Sequence, residues 1–469
     1  MKRRLVLLFP TMAAALAGAL RAGIVGSAGS EKKTLAFGLL VAMAALSLLL
    51  LARADPARAS TTFTVNSTSD TDDGSCSAPV FLLDCTRREA INAANEAGGQ
   101  DTIAFNIPGT GAKTIEVGKS GNGALPKIES RVTIAGYSQP GAQKNTLKAP
   151  RAINAIPLIE LDGSAAGDSA SGLELNGSSA SNSVVRGLII NDFGVWGILC
   201  QATGVKVEGN FIGTDPSGTQ AQGNHGGVVV GGSNYIGGTL PEARNLISGN
   251  DGVGMRITGS GNKIQGNLIG KRKKGVIPLG NDVHGVLIDF GGSGNIVGGT
   301  ASGAANVIAH NGLDGVNVDS GTGNRILSNS IYNNGELGID LVGGIEDPPP
   351  VVGITLNDFK DLDAGPNGLQ NYPWLNEAKH NPDGTTTIKG TLNSRPEKNY
   401  TIQFFSSDIG DPDGFGEGQV FLGQKKVETN KNGNASFTIT TTLPEVDDRI
   451  SATATGGSGT SEFAHWIDQ

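Results

Sequence analysis

Gly285-Val286-Leu287-Ile288 is followed thirty residues on by Gly315-Val316-Asn317-Val318, and twenty-three residues after that by Gly338-Ile339-Asp340-Leu341. Upstream, the same phrase of a glycine leading alternating apolar residues opens at Gly172-Leu173-Glu174-Leu175, Gly197-Ile198, Gly227-Val228-Val229-Val230 and Gly252-Val253-Gly254-Met255. Successive spacings are 25, 30, 25, 33, 30 and 23 residues. A second phrase interleaves with it at Asn182-Ser183-Val184, Asn234-Tyr235-Ile236, Asn262-Lys263-Ile264, Asn295-Ile296-Val297 and Asn324-Arg325-Ile326, and a third at Asn245-Leu246-Ile247 and Asn306-Val307-Ile308. Each period therefore holds two or three short strands separated by Gly and Asn turns. One such unit cannot bury its own apolar face, but a stack of like units makes a continuous core. Propeller blades need about 40–50 residues and an aromatic signature, and leucine-rich repeats need leucine and a helix. Neither is present, so the spacing predicts an all-β solenoid, a right-handed parallel β-helix whose equivalent residues lie ~4.8 Å apart on successive coils. Asparagines at equivalent turns would then form a ladder of bonded amides.

Composition agrees with many short strands and frequent turns. The 469 residues include 71 Gly but only 5% aromatics and 17% charged residues, roughly twice the usual share of glycine. Glycine and asparagine reach positive φ at little steric cost.

Two apolar segments open the chain, Leu5 to Val25 and Leu35 to Ala52, each preceded by basic residues. Both cannot span a membrane in sequence while keeping their basic flanks inside. The second runs into Ala57-Arg58-Ala59 before Ser60, a small-x-small cleavage pattern, and reads as a signal peptide. The alternative is a permanent N-terminal anchor, so that any membrane contact comes through an uncleaved N-terminal segment. Loss of residues 1–59 removes 8 basic and 2 acidic residues and leaves 28 against 42, a formal charge of −14. So acidic a protein is a poor partner for nucleic acid. Export predicts a secreted or cell-surface location and a disulfide between Cys76 and Cys85, whereas Cys200 reads as a buried small hydrophobe.

Outward from the repeats, Thr86-Arg87-Arg88-Glu89 is a capping box with Thr86 as N-cap and Glu89 at N3. It opens a helix that sets Ala90, Ile91 and Ala94 on one face. A lone amphipathic helix beside a solenoid is most simply a lid on its open end. Asp101 to Ile107 and Arg131 to Gly136 read as first-coil strands. Past Leu341 the period stops, Pro348-Pro349-Pro350 signals a linker, and alternating strands without the coil period return from about Thr385. They suggest a small antiparallel β-sandwich. The expected divisions are a targeting region over 1–59, the cap and β-helix over 60–345, a linker loop over 346–380 and the sandwich over 381–469.

The run Cys85-Thr86-Arg87-Arg88-Glu89-Ala90-Ile91-Asn92-Ala93-Ala94-Asn95 resembles the N-terminal motif of bacterial exported proteins spelled Cys-Ser-Leu-Arg-Glu-Ala, with Thr86 and Arg87 in place of Ser and Leu. Ile134-Ala135-Gly136-Tyr137-Ser138-Gln139-Pro140-Gly141, Gly209-Asn210-Phe211-Ile212-Gly213-Thr214-Asp215 and Asp411-Pro412-Asp413-Gly414-Phe415-Gly416-Glu417-Gly418-Gln419 look like the same group. The resemblance implies a pectin-lyase-like right-handed β-helix, often with a C-terminal β-sandwich. It implies no catalytic set that can be carried over residue by residue.

Candidate chemistry falls on outward positions. If Val286 and Ile288 point inward, Asp289 points out; Asp319 follows one coil later and Asp340 lies nearby on the next. Stacked carboxylates raise one another's pKa and serve glycosidases or hold a cation, but a solvated acidic stripe is the simpler reading. The Gly-His-Gly signature of polygalacturonases is absent, and the one Arg-x-Lys run, Arg272-Lys273-Lys274, falls in the basic run below. His225, His284 and His310 lie near turns, and Lys271-Arg272-Lys273-Lys274 reads as a solvated basic tip. Asp358, Asp361, Asp363 and Asn367 offer oxygens suited to calcium, as do Asp70, Asp72 and Asp73, and Asp411, Asp413 and Glu417. The functional expectation is a surface protein that binds a polysaccharide or cell-surface glycan without catalysis. A polysaccharide lyase or glycoside hydrolase and a structural envelope protein are the alternatives.

Overall fold

A computed structural model describes residues 59–74, 76, 84–344, 353–408, 414–443 and 448–468. The two N-terminal apolar segments, Pro348-Pro349-Pro350, Asp411 and Asp413 lie outside the described residues. Among the described residues no helix is long and apolar enough to cross a membrane.

The repeats build three parallel sheets of nine, eight and seven strands among the described residues. Sheet A runs from Thr62–Val65 to Arg325–Leu327, sheet B from Lys113–Glu116 to Ser330–Tyr332, and sheet C from Leu173–Leu175 to Ile339–Leu341. The seven glycine-led phrases are the seven strands of sheet C, the second, Asn-led phrase supplies strands of sheet A, and the third, at Asn245 and Asn306, supplies strands of sheet B. One phrase registers differently from its sequence: Val228 pairs with Met255, which puts Gly254 rather than Gly252 in the repeat column. Alternation sets the faces. Along Lys263-Ile264-Gln265 the first residue is exposed and the second buried, while Val286, Ile288, Val316 and Val318 are wholly buried.

The corners of each coil explain the sequence bias better than turns do. Three asparagine ladders run along the solenoid. Asn210, Asn245, Asn267, Asn306 and Asn329 link Nδ2 to Oδ1 at 2.9–3.2 Å between sheets A and B. Asn224, Asn250, Asn281, Asn311 and Asn334 do so at 2.8–3.0 Å between sheets B and C, and Asn262, Asn295 and Asn324 at 2.9 Å between C and A. Buried amides must find partners, and each rung supplies its neighbour. The glycines that lead sheet C are not turn glycines. A Cβ on Gly285 would stand 2.6 Å from Ile308 Cγ2, 2.7 Å from Asn311 Nδ2 and 2.8 Å from the Gly315 carbonyl. Glycine is there because strand and ladder press together.

At the first end, helix α1 (Arg87–Ala97) is capped by Thr86, whose Oγ1 accepts from the Glu89 amide at 3.3 Å while Glu89 Oε2 accepts from the Thr86 amide at 2.8 Å. Burial opposes ionisation of Glu89, yet the amides of Thr86, Gly74 and Asp73 hold its carboxyl below the usual range. Ala90, Ile91 and Ala94 join the same core as the coils. Cys76 and Cys85 form a disulfide just before the helix, and Cys200 is free and buried.

At the far end, two three-stranded antiparallel sheets face each other. Trp374–His380, Thr386–Asn393 and Asn434–Thr441 form one, and Val420–Glu428, Asn399–Ser407 and Arg449–Thr455 the other. The first strand starts inside the stretch read as linker. This sandwich closes the solenoid by continuing its bonding pattern. Asn334 Nδ2 donates to Glu417 Oε1 at 3.2 Å, the Asn324 amide donates to Asn367 Oδ1 at 3.0 Å, and the last-coil amides of Ser328 and Leu341 donate to Gln403 and Glu462. Phe405 and Phe463 finish the apolar core.

Candidate functional site

Register fixes one outward column on sheet C: Glu174, Leu199, Val229, Arg256, Leu287, Asn317 and Asp340. The late coils of this face carry its polar chemistry. Asn317 Nδ2 donates to Asp340 Oδ2 at 2.7 Å and to Asp314 Oδ2 at 2.9 Å. Asp314 also accepts from the Leu337 amide at 2.9 Å and lies 3.0 Å from Nδ1 of His284, a side chain 15% exposed. Nε2 of His284 has no protein partner among the described residues. Glu336 is exposed nearby, and burial, then the Asp314 charge, raise its carboxyl above the usual range.

Asp289 and Asp319 occupy equivalent backbone positions, their amides donating to Ile257 and Ile288 one coil earlier. Their environments differ. Asp319 is exposed, whereas Asp289 is 5% exposed and held by Arg256, with Nε at 2.7 Å and Nη2 at 2.6 Å from Oδ2. Asp289 is therefore not open to solvent, and Arg256 balances its charge. Beside the pair stands Phe290, a residue 75% exposed, with the Arg256 guanidinium 4.9 Å from its ring centroid. The Phe290 backbone has φ +50°, the left-handed region that a bulky side chain seldom adopts. Phe290 directly follows Asp289 in the sequence, but the contact that braces it is not legible there, because Arg256 reaches both residues from the preceding coil.

The other sequence candidates are dispersed. Lys271 is not a solvated tip: it is 4% exposed, donates from Nζ to the Tyr332 hydroxyl and lies 4.7 Å from that ring. Burial lowers its pKa, and burial and Lys271 together lower that of His310. His225 is exposed at a turn. Asp70 forms a bidentate pair with Arg88 at 3.1 and 2.8 Å, and Glu417 ends an asparagine ladder. Asp358, Asp361 and Asp363 do converge, with ligand atoms within 4.8 Å of one another. Oδ1 of Asp363 is buried without a hydrogen-bond partner, and burial followed by the Asp358 and Asp361 charges pushes this carboxyl up to about 6. Asn367 stands apart from them, since its oxygen serves Asn324 and its nitrogen donates to the Asn324 and Thr460 carbonyls.

No protein-family model matches the chain, and no curated protein matches it. Among solved structures it is similar to the enzymatically active domain of tailspike protein 2 of bacteriophage CBA120, at 11% identity and a TM-score of 0.20, over 79% of this chain and 67% of that one. Full-length tailspike protein 2, from an Escherichia coli O157:H7 bacteriophage, matches at 11% identity and a TM-score of 0.19, over 77% of this chain and 57% of that one. The active domain of tailspike protein 4 matches at 12% and 0.16, over 81% and 65%. The fold assignment rests on the sheets described above.

Proposed function

We propose that the chain is an exported or cell-surface β-helix that binds a glycan on the outer face of sheet C, without cleaving it. The observation that carries this reading is Phe290, an exposed ring in a left-handed backbone, braced by Arg256 and Asp289. Strained residues held by their surroundings cluster at binding sites, and a fixed aromatic face beside amide and carboxylate groups suits a sugar ring. The disulfide supports an oxidising location. A catalytic carboxylate pair needs one acid kept protonated beside one ionised. Asp289, neutralised by Arg256, supports the noncatalytic reading. Calcium at Asp358, Asp361 and Asp363 belongs to the same proposal, supported by the unpartnered Asp363 oxygen; Asn367 is not included.

The test is incubation of the mature protein with a panel of acidic and neutral polysaccharides, scored for retention and for new reducing ends or unsaturated products. Retention without cleavage is expected. Cleavage by the wild type that disappears in Asp319→Asn, with the fold intact, would overturn the noncatalytic reading.

A further inference from the structure

Sheet A carries a different outward column. Register aligns Lys206 with Tyr235, Tyr235 with Lys263, Lys263 with Ile296 and Ile296 with Arg325. Lys206, Tyr235, Lys263 and Arg325 are all exposed, and Lys263 Nζ lies 5.8 Å from the Tyr235 ring centroid. None of the three cations forms an ion pair with a carboxylate among the described residues. The adjoining outward column, Arg186, Glu208, Gly237, Gln265, Gly298 and Leu327, contains one acid, and Glu208 is 3.8 Å from Arg186. On a chain of formal charge −8 this is a concentrated positive stripe. Its spacing is set by the fold: rungs ~4.8 Å apart put a cation on every second coil, at steps of roughly 9.6 Å.

We infer that sheet A binds a linear anionic polysaccharide lying along the solenoid axis, with an acidic group on alternate sugars facing Lys206, Lys263 and Arg325, and an intervening sugar over Tyr235. The charge of the stripe selects an anion. Its straightness and rigid rungs select an extended, regularly charged polymer over a compact ligand, and the apolar residues between the cations suit sugar rings over a continuous run of phosphates. This site is separate from the sheet C face and does not depend on it.

The test uses hyaluronan oligosaccharides, which carry one carboxylate per disaccharide, against the full mature chain. Binding should weaken as salt screens the stripe. It should fall at least tenfold in the triple variant Lys206→Glu, Lys263→Glu, Arg325→Glu, and remain in Phe290→Ala. The substituted side chains are exposed, and an unchanged circular dichroism spectrum and melting temperature would confirm the fold. Absence of hyaluronan binding by the wild type would overturn the inference. So would equal binding of a neutral chitin oligosaccharide, tighter binding of duplex DNA or of phosphatidylserine vesicles, or undiminished affinity in the triple variant. Loss in Phe290→Ala alone would assign the ligand to sheet C instead.

Discussion

Arg87 is wholly buried in the cap; among the described residues none of its guanidinium nitrogens is hydrogen-bonded, and its guanidinium lies 5.6 Å from the Phe105 ring centroid. Burial pushes its pKa down to about 9. It occupies the place of the leucine in the exported-protein motif that the sequence resembles. A buried charge without a partner is strongly unfavourable, so Arg87→Leu is expected to stabilise the fold by about 1–4 kcal/mol in denaturant titrations. A loss of stability would mean that the guanidinium has a role in the cap. Asp363 offers a pH test. Its folded pKa of about 6 lies above the ordinary 3.8, so the folded state holds the proton more tightly. Its contribution to stability is greatest at low pH and is lost as pH rises through the window between those values. Asp363→Asn should remove that part of the slope, and added calcium should raise the melting temperature at pH 7 in the wild type alone. Identical pH profiles would dismiss the strained carboxylate.

Within the elements, the strands of sheet C could be read from the sequence almost residue by residue, because a glycine followed by alternating apolar residues recurs at coil length. The role of the glycine could not, since its constraint comes from Ile308 on a strand of sheet B and Asn311 in the corner ladder. Gly285→Ala should therefore cost about 1–3 kcal/mol by overpacking, measured as a fall in the urea midpoint. Gly291→Ala meets no atom within 4 Å but sits at φ +78°, so any loss there reflects backbone strain alone. An unaffected midpoint in Gly285→Ala would mean that the corner can open. The His284–Asp314 contact is legible in the sequence: each residue directly precedes a repeat glycine, thirty residues apart. Stacking neighbours on adjacent coils follow from that spacing. The Arg256–Asp289 contact has no such offset, because a long side chain reaches diagonally between coils.

For the whole molecule, the solenoid is sealed at both ends by groups that imitate another coil: the capped helix at one, and the Asn367, Gln403, Glu417 and Glu462 side chains at the other. Exposed ends of such a stack invite end-to-end pairing. Ile91 is 1% exposed against the first coil, and Ile91→Asp should destabilise by about 4 kcal/mol or more, with oligomers appearing in sizing chromatography. A monomeric variant with unchanged melting would remove the lid from the account. The most direct measurement of the central claim is calorimetric titration of the protein with a glycan that the sheet A triple variant still retains, comparing Phe290→Ala with Asp319→Asn. The account predicts that Phe290→Ala weakens binding at least tenfold while Asp319→Asn stays within a factor of ten, about 1.4 kcal/mol. Full affinity in Phe290→Ala would contradict it.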